Sequence, residues 1–195
     1  WYKDEVDANK NPTGKRVTTN DYGSADYYYV NKSSLPKVYG GFNTSLSWKG
    51  FDLSAIFAYS IGGYIYNRDV TMILHNGSLE GRDWSTEILR RWTPDNRNTD
   101  VPALSTTSNN WNSASTRFLQ NNSYMRLKNL TLSYNLPKQW ISKLSLSSVQ
   151  VYVQGDNLFT IHRNQGLDPE QGITGITYYR YPAMRTISGG INVSF

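Results

Sequence analysis

Five stretches of this chain alternate apolar and polar side chains with a period of two, and connections of very unequal length separate them. Successive strand residues point to opposite faces, so this pattern constrains the fold more than any single motif does. In the first stretch Phe42, Leu46 and Trp48 share a face with Thr44, while Asn43, Ser45 and Ser47 take the other. In the second, Phe51, Leu53, Ala55, Phe57, Tyr59 and Ile61 oppose Asp52, Ser54, Ala58 and Ser60. The third sets Leu130, Leu132, Tyr134 and Leu136 against Asn129, Thr131, Ser133 and Asn135. Continued backwards at the same parity, it places Arg126 and Lys128 on the face shared with Leu130, a position tolerable only near the edge of an apolar layer. The fourth opposes Val149, Val151 and Val153 to Gln150, Tyr152, Gln154 and Asp156, and the fifth opposes Ile187, Ile191, Val193 and Phe195 to Ser188, Gly190, Asn192 and Ser194.

The spacing predicts strands over about 37–48, 51–62, 123–136, 147–159 and 184–195. Turns at 49–50 and 137–146 alternate with long loops at 1–36, 63–122 and 160–183, so every long loop falls at one end of an antiparallel sheet. A membrane β-barrel has that arrangement, with long loops outside, whereas compact soluble domains rarely carry such connections. Within the longest loop, Asp83 or Ser85 is placed to cap a short helix through Ile88, Leu89 and Trp92 that Pro94 ends. The stretches 1–34 and 105–116 are polar and predicted to be mobile.

Composition agrees. Aromatics make up 14% of the 195 residues, with 15 Tyr and 6 Trp, against only 18% charged residues. Aromatic and β-branched side chains suit a pleated, half-buried surface. Mean hydropathy is -0.58, and no run approaches the roughly 18 apolar residues of a spanning helix. A barrel strand needs only about 10 residues, alternate ones apolar, and barely registers in such an average. With no cysteine, disulfides and thiolate metal sites are excluded. The net charge of +5 is spread over scattered Lys and Arg rather than a stripe, which argues against a nucleic-acid partner. Phosphates of an outer lipid leaflet are an alternative use for Arg16, Arg82 or Arg180.

Several stretches, in their order and spacing, resemble the SusC/RagA-type TonB-dependent outer-membrane transporters of Bacteroidetes. They are Pro36 to Phe42, Phe51 to Ser54, Arg91 to Asn96 with Asn98 to Pro102, Ser123 to Tyr134, Gly155 to Thr160, Gly166 to Glu170, and Tyr181-Pro182 through Phe195. The resemblance implies an all-β fold, namely the C-terminal five strands of a 22-stranded transmembrane antiparallel barrel without the plug domain. It implies residence in the cell outer membrane and import of a bulky nutrient, an oligosaccharide or oligopeptide. It further implies a SusD-like surface lipoprotein partner and the TonB complex, reached through a missing N-terminal part. The opening loop departs from the family's acidic, calcium-like pattern: Lys10-Asn11-Pro12-Thr13-Gly14-Lys15 stands there, and no metal or cofactor is expected.

Ile191, Val193 and Phe195 resemble the signal read by the barrel-assembly machinery. Trp84, Trp92, Trp111, Tyr64 and Tyr66 lie in or beside the longest loop and are candidate substrate or partner contacts, with interfacial or loop packing the competing reading. Tyr178, Tyr179 and Tyr181 stand under the same two readings. Tyr22, Tyr27, Tyr28 and Tyr29 form a cluster suited to a partner surface. His75 and His162, far apart in sequence, read as structural or solvated rather than as metal ligands. Asp95, Asp100, Asp168 and Glu170 fall in loop motifs. No nucleophile motif, phosphate loop or dinucleotide fingerprint is present, and no enzyme is expected. The alternative of another class is a soluble, secreted carbohydrate-binding or adhesive β-sandwich, in which the apolar face meets a second sheet rather than lipid. Deleting Phe195 from the full-length protein is predicted to impair barrel assembly; a normal heat-modifiable species in the deletion mutant contradicts that role.

Overall fold

The computed structural model describes every residue except 78, 80, 106–110, 165 and 171, and leaves out the side chain of Leu144. The middle of the polar stretch 105–116 therefore lies outside the described residues. The strands in chain order are β1 (Tyr2–Val6), β2 (Pro12–Thr18), β3 (Val38–Trp48), β4 (Phe51–Ile61), β5 (Tyr64–Asn67), β6 (Leu119–Asn121), β7 (Tyr124–Asn135), β8 (Ser148–His162), β9 (Ile176–Thr177) and β10 (Thr186–Ser194). Two compact units form. A loop unit comprises Trp1–Lys32, Tyr66–Leu119 and Ile176–Tyr179, and a sheet unit comprises Ser33–Ile65, Gln120–Gly175 and Arg180–Phe195.

The sheet unit is built on five strands in the order β10-β8-β7-β4-β3, each antiparallel to its neighbour. Lys49 and Gly50 both have positive φ, 47° and 87°, and Trp48 pairs with Phe51 across them. Two positive φ values in a two-residue loop match the right-handed twist of the flanking strands, and Gly50 takes the more crowded place, 3.1 Å from the Asn135 carbonyl at its would-be Cβ. Between β7 and β8, Pro137 precedes a one-turn helix (Lys138–Ile141) and a 3-10 turn (Ser142–Leu144).

Cross-strand pairs fill the apolar face: Phe42 stacks on Phe57 at 4.7 Å, and Phe51 meets Tyr134 at 4.5 Å. Among the described residues nothing covers this face. Leu46 is 66% exposed, Trp48 63%, Ile187 73% and Ile191 64%. The opposite face is polar and hydrogen-bonded from edge to edge. Near the short-turn end Ser47 bonds Asp52, Asn135 donates to Asp52 at 2.6 Å, Gln150 donates to Asn135 at 3.1 Å, and Asn192 donates to Gln150 at 3.2 Å. A second group joins Asn129 to Asp156 at 2.7 Å and Thr131 to Asn129 at 2.9 Å.

One strand breaks the alternation. On β7, Asn129 pairs with Ile56 of β4, but the next pair is Leu127 with Phe57, so Lys128 is an extra residue without a partner on β4. This one-residue bulge reverses the parity of everything before it. Met125 and Leu127 take the apolar face opposite Tyr59 and Phe57, and Arg126 turns to the polar face opposite Ala58 and Thr160. The placement of Arg126 beside Leu130 that strict alternation predicts is thereby corrected: Arg126 is 3% exposed and on the polar side. On β8 the same level carries Asn157 in the left-handed region, with φ 53°. Gly155 makes room there, since a Cβ on it would lie 2.7 Å from the Leu158 methyl carbons.

The loop unit has its own small core of Leu74, Ile88, Val101 and Phe118. The polar opening stretch contains the β1–β2 hairpin, whose tip is an Asx turn in which the Asp7 carboxylate accepts from the Asn9 and Asn11 amides at 2.8 and 2.9 Å. The helix expected to run through Trp92 is a 3-10 turn over Thr86–Arg90, capped by the Ser85 hydroxyl. It stops early because Arg91 turns extended and the Trp92 amide bonds the Val101 carbonyl at 2.8 Å instead.

Deleting Lys128 leaves a regular strand with Leu127 on the apolar face and Arg126 on the polar face, whereas deleting Leu127 forces either Arg126 or Lys128 onto the apolar face, at a cost of about 2–4 kcal/mol if that face meets hydrocarbon. We predict that the full-length Leu127 deletion loses its heat-modifiable folded species while the Lys128 deletion keeps it; retention of the folded species in both contradicts the assigned phase.

Candidate functional site

In the sheet unit, the bulge brings together two stretches about forty residues apart in sequence. The Arg126 guanidinium donates from Nη2 to Asp168 at 2.7 Å, from Nη1 to Glu170 at 2.8 Å and from Nε to the Thr160 hydroxyl at 2.9 Å. Lys128 Nζ reaches both Glu170 oxygens at 2.6 and 2.5 Å. Asp168 also accepts from the amides of Glu170 at 2.9 Å and Ala183 at 2.6 Å. Burial raises the Asp168 pKa, but those amides and the guanidinium outweigh it and hold the carboxyl below its ordinary value of 3.8. Asp168 is thus a fixed anion rather than a proton carrier, and Glu170 is engaged by two cations. The pair does no acid/base chemistry in this geometry.

The segment after β8 is therefore clamped to the polar face of the sheet. Asn122 extends the clamp, donating to the Pro169 carbonyl at 2.8 Å while its own oxygen accepts from Asn164 at 2.8 Å. His162 Nδ1 lies 2.9 Å from the Asn164 carbonyl, a structural contact within the same segment. Ser34 donates to the Ile173 carbonyl at 2.9 Å. Tyr64 lines the hollow that these ties enclose, together with Tyr39, Tyr59 and Tyr124. Ile191 and Val193 lie on the apolar face of β10, paired with Val151 and Val149, and Phe195 follows the strand fully outward, 92% exposed.

In the loop unit the remaining aromatic candidates separate. Trp111 lies beneath the Arg117 guanidinium, 3.8 Å from the ring centre, and lines a second hollow of about 480 Å³ with Trp1, Tyr2, Tyr27 and Tyr28. Tyr28 is held by the Asp4 carboxylate at 2.9 Å and covered by Arg16, leaving Tyr27 and Tyr29 at 95% and 94% exposed. Trp84 donates from Nε1 to His75 Nδ1 at 3.1 Å, and Tyr66 packs edge-on against Phe118. Both have internal structural work. Trp92 is half exposed and stands apart from either hollow. Burial pushes the His75 pKa down from 6.5 against the opposing backbone hydrogen bond at Arg82, so the ring is neutral, with Nδ1 as acceptor. Tyr178 and Tyr179 meet edge-on, and Arg68 covers Tyr178 at 5.0 Å.

Sequence reasoning placed Arg126, Asp168 and Glu170 in motifs but did not join them. The signal was available in Met125-Arg126-Leu127-Lys128-Asn129-Leu130, where apolar residues change from odd to even positions.

Arg126→Ala leaves the Asp168 charge buried without its guanidinium, a loss of about 3–5 kcal/mol. In the full-length protein we predict that hydrogen exchange in the segment Asn164 to Gly175 rises sharply; unchanged protection contradicts the clamp. Because the folded Asp168 pKa is depressed, its stabilisation is complete above pH 3.8 and disappears as pH falls through the lowered value. The same segment is predicted to open only in that acid range.

No family model matches the chain. It is 35% identical over 166 residues to the TonB-dependent receptor P3 of Formosa agariphila, covering 80% of this chain and 16% of that receptor. It is 27% identical over 198 residues to the TonB-dependent receptor SusC of Bacteroides thetaiotaomicron, covering 100% of this chain and 19% of SusC. In three dimensions it matches a chain of the RagAB peptide transporter with a TM-score of 0.80 and 36% identity, covering 97% of this chain and 20% of that one. The chain spans 16 to 19% of the curated relatives it matches. On sequence and on fold, it belongs to the SusC/RagA-type TonB-dependent receptors.

Proposed function

We propose that this chain is the C-terminal five strands, with their external loops, of a 22-stranded outer-membrane barrel that imports a bulky nutrient using energy delivered through TonB. One observation carries the reading: an antiparallel sheet with an apolar face that no described residue covers and a hydrogen-bonded polar face. In water that face is an aggregation hazard; in a barrel it meets lipid while the polar face lines a wet lumen. The same uncovered face counts against a secreted β-sandwich, whose apolar side chains interdigitate with a second sheet. Among the described residues both β3 and β10 have an unpaired edge, which supports continuation of the sheet on both sides.

The nutrient is an oligopeptide or an oligosaccharide, and a SusD-type lipoprotein at the cell surface helps to capture it. Support for the partner comes from the similarity to SusC and to RagAB, and support for transport from the importer named in the matched structure. In this reading Ile191, Val193 and Phe195 close the seam and serve the assembly machinery, and Trp111 with Tyr27 offers aromatic surface to substrate or partner.

The reading predicts that a strain lacking the gene loses uptake of at least one class among candidate glycans and peptides, and that loss of TonB abolishes the same uptake. Uptake that persists without TonB overturns energised import.

A further inference from the structure

The clamp centred on Arg126 encloses a hollow of about 460 Å³ within the sheet unit. Strand register builds its wall. Tyr39 pairs with Ser60 across β3 and β4, and Ser60 pairs with Tyr124 across β4 and β7, so the three stand abreast on the polar face. Two strand spacings put the tyrosine Cα atoms about 10 Å apart, with the small side chains of Ser60 and Ala58 on the strand between them. Pro169 and Ile173 form the roof. It is fixed by Arg126 on Asp168 and Glu170, Asn122 on the Pro169 carbonyl, and Ser34 on the Ile173 carbonyl. The result is a preformed slot between two aromatic side chains, of a size that takes a small ligand.

The chemistry of the lining narrows the ligand. Among the described lining residues none carries a charge, in a chain where 18% of residues do. A charged group entering would lose water without gaining a counter-ion, so the hollow selects uncharged groups. Tyr39, Ser60 and Tyr124 each bring a hydroxyl, which both donates and accepts, and none of the three hydroxyls is committed to another described residue. An aliphatic side chain in the slot would cover these hydroxyls and leave their hydrogen bonds unmade. A sugar ring satisfies both halves of the lining. Its hydroxyls pair with the protein hydroxyls, and its C–H faces lie against tyrosine rings that are apolar in the body and polar at the tip.

We propose that this slot is a subsite for one ring of a neutral oligosaccharide, a glycan free of carboxylate and sulfate groups, with Tyr39 and Tyr124 flanking the ring and Ser60 beneath it. The inference rests on the import reading and names, for that same barrel, the substrate class and the charge it excludes.

The test uses calorimetry on the purified full-length transporter. The probes are five neutral glycans (maltohexaose, cellohexaose, laminarihexaose, xylohexaose and mannohexaose), the acidic glycan hexagalacturonate, and a capped alanine-serine decapeptide with a central Phe. At least one neutral hexaose is expected to bind more tightly than both hexagalacturonate and the peptide. Tyr39 is 77% exposed, so Tyr39→Ala spares the fold, and it is expected to weaken that hexaose about tenfold or more through loss of the ring face. Tyr124→Phe keeps the ring and removes only the hydroxyl, and is expected to weaken it roughly threefold to tenfold, the size of one neutral hydrogen bond. No hexaose bound, a preference for hexagalacturonate or the peptide over every hexaose, or unchanged affinity in both variants overturns the subsite. TonB-dependent uptake of the peptide with no hexaose bound overturns the subsite but leaves the import reading standing. Uptake that ignores TonB overturns the import reading, while hexaose binding weakened by both variants still supports the subsite.

Discussion

A guanidinium on an apolar strand face is costly, and the bulge at Lys128 keeps Arg126 off that face. Were Lys128 paired regularly rather than bulged, β7 would carry Arg126 beside Leu130 and have nothing to hold the segment after β8. With it, the strand keeps Met125 and Leu127 in line with the apolar face and delivers a buried cation to the polar side. Register and clamp are thus one decision made at a single backbone position.

The clamp in turn explains why the long connection between β8 and β10 has a defined course. A loop of that size has little apolar surface with which to offset its conformational entropy, so charge-assisted bonds to a rigid wall do most of the ordering. Asp168 accepts from Arg126 and from the Glu170 and Ala183 amides, Asn122 ties Pro169, and Ser34 ties Ile173. Such bonds are strong here because Arg126 and Asp168 are both removed from water, with side chains only 4% and 6% exposed. A loop held this way on the polar face of the sheet is a surface on which specificity can be built.

The strands were legible because each repeats a two-residue period over nearly its full length, and because turn residues such as Lys49-Gly50 and Pro137 punctuate them. The phase change in β7 was legible in principle but hidden by a single pattern fitted from Leu130 onward. The link between Arg126 and Asp168 was not legible, since antiparallel pairing and loop folding bring together residues that no local period connects. The β1–β2 hairpin escaped for another reason: its residues are mostly exposed, so no apolar alternation marks it. Among the aromatic candidates, sequence alone could not separate Trp84, committed to His75, from Trp111, which lines a hollow.

The central claim is that one face of the sheet meets hydrocarbon, with a phase that inverts at Lys128. This chain has no cysteine, so single nitroxide labels can be placed through Met125→Cys, Leu127→Cys, Leu130→Cys, Thr131→Cys, Leu132→Cys and Ser133→Cys in the full-length protein in bilayers. Relaxation by oxygen, which concentrates in lipid, against a water-soluble nickel chelate reports which side each label faces. The account predicts oxygen-dominated relaxation at 125, 127, 130 and 132 and chelate-dominated relaxation at 131 and 133. Chelate access on both faces, or chelate-dominated relaxation at 125 and 127 as an unbroken even-numbered lipid phase requires, would contradict it.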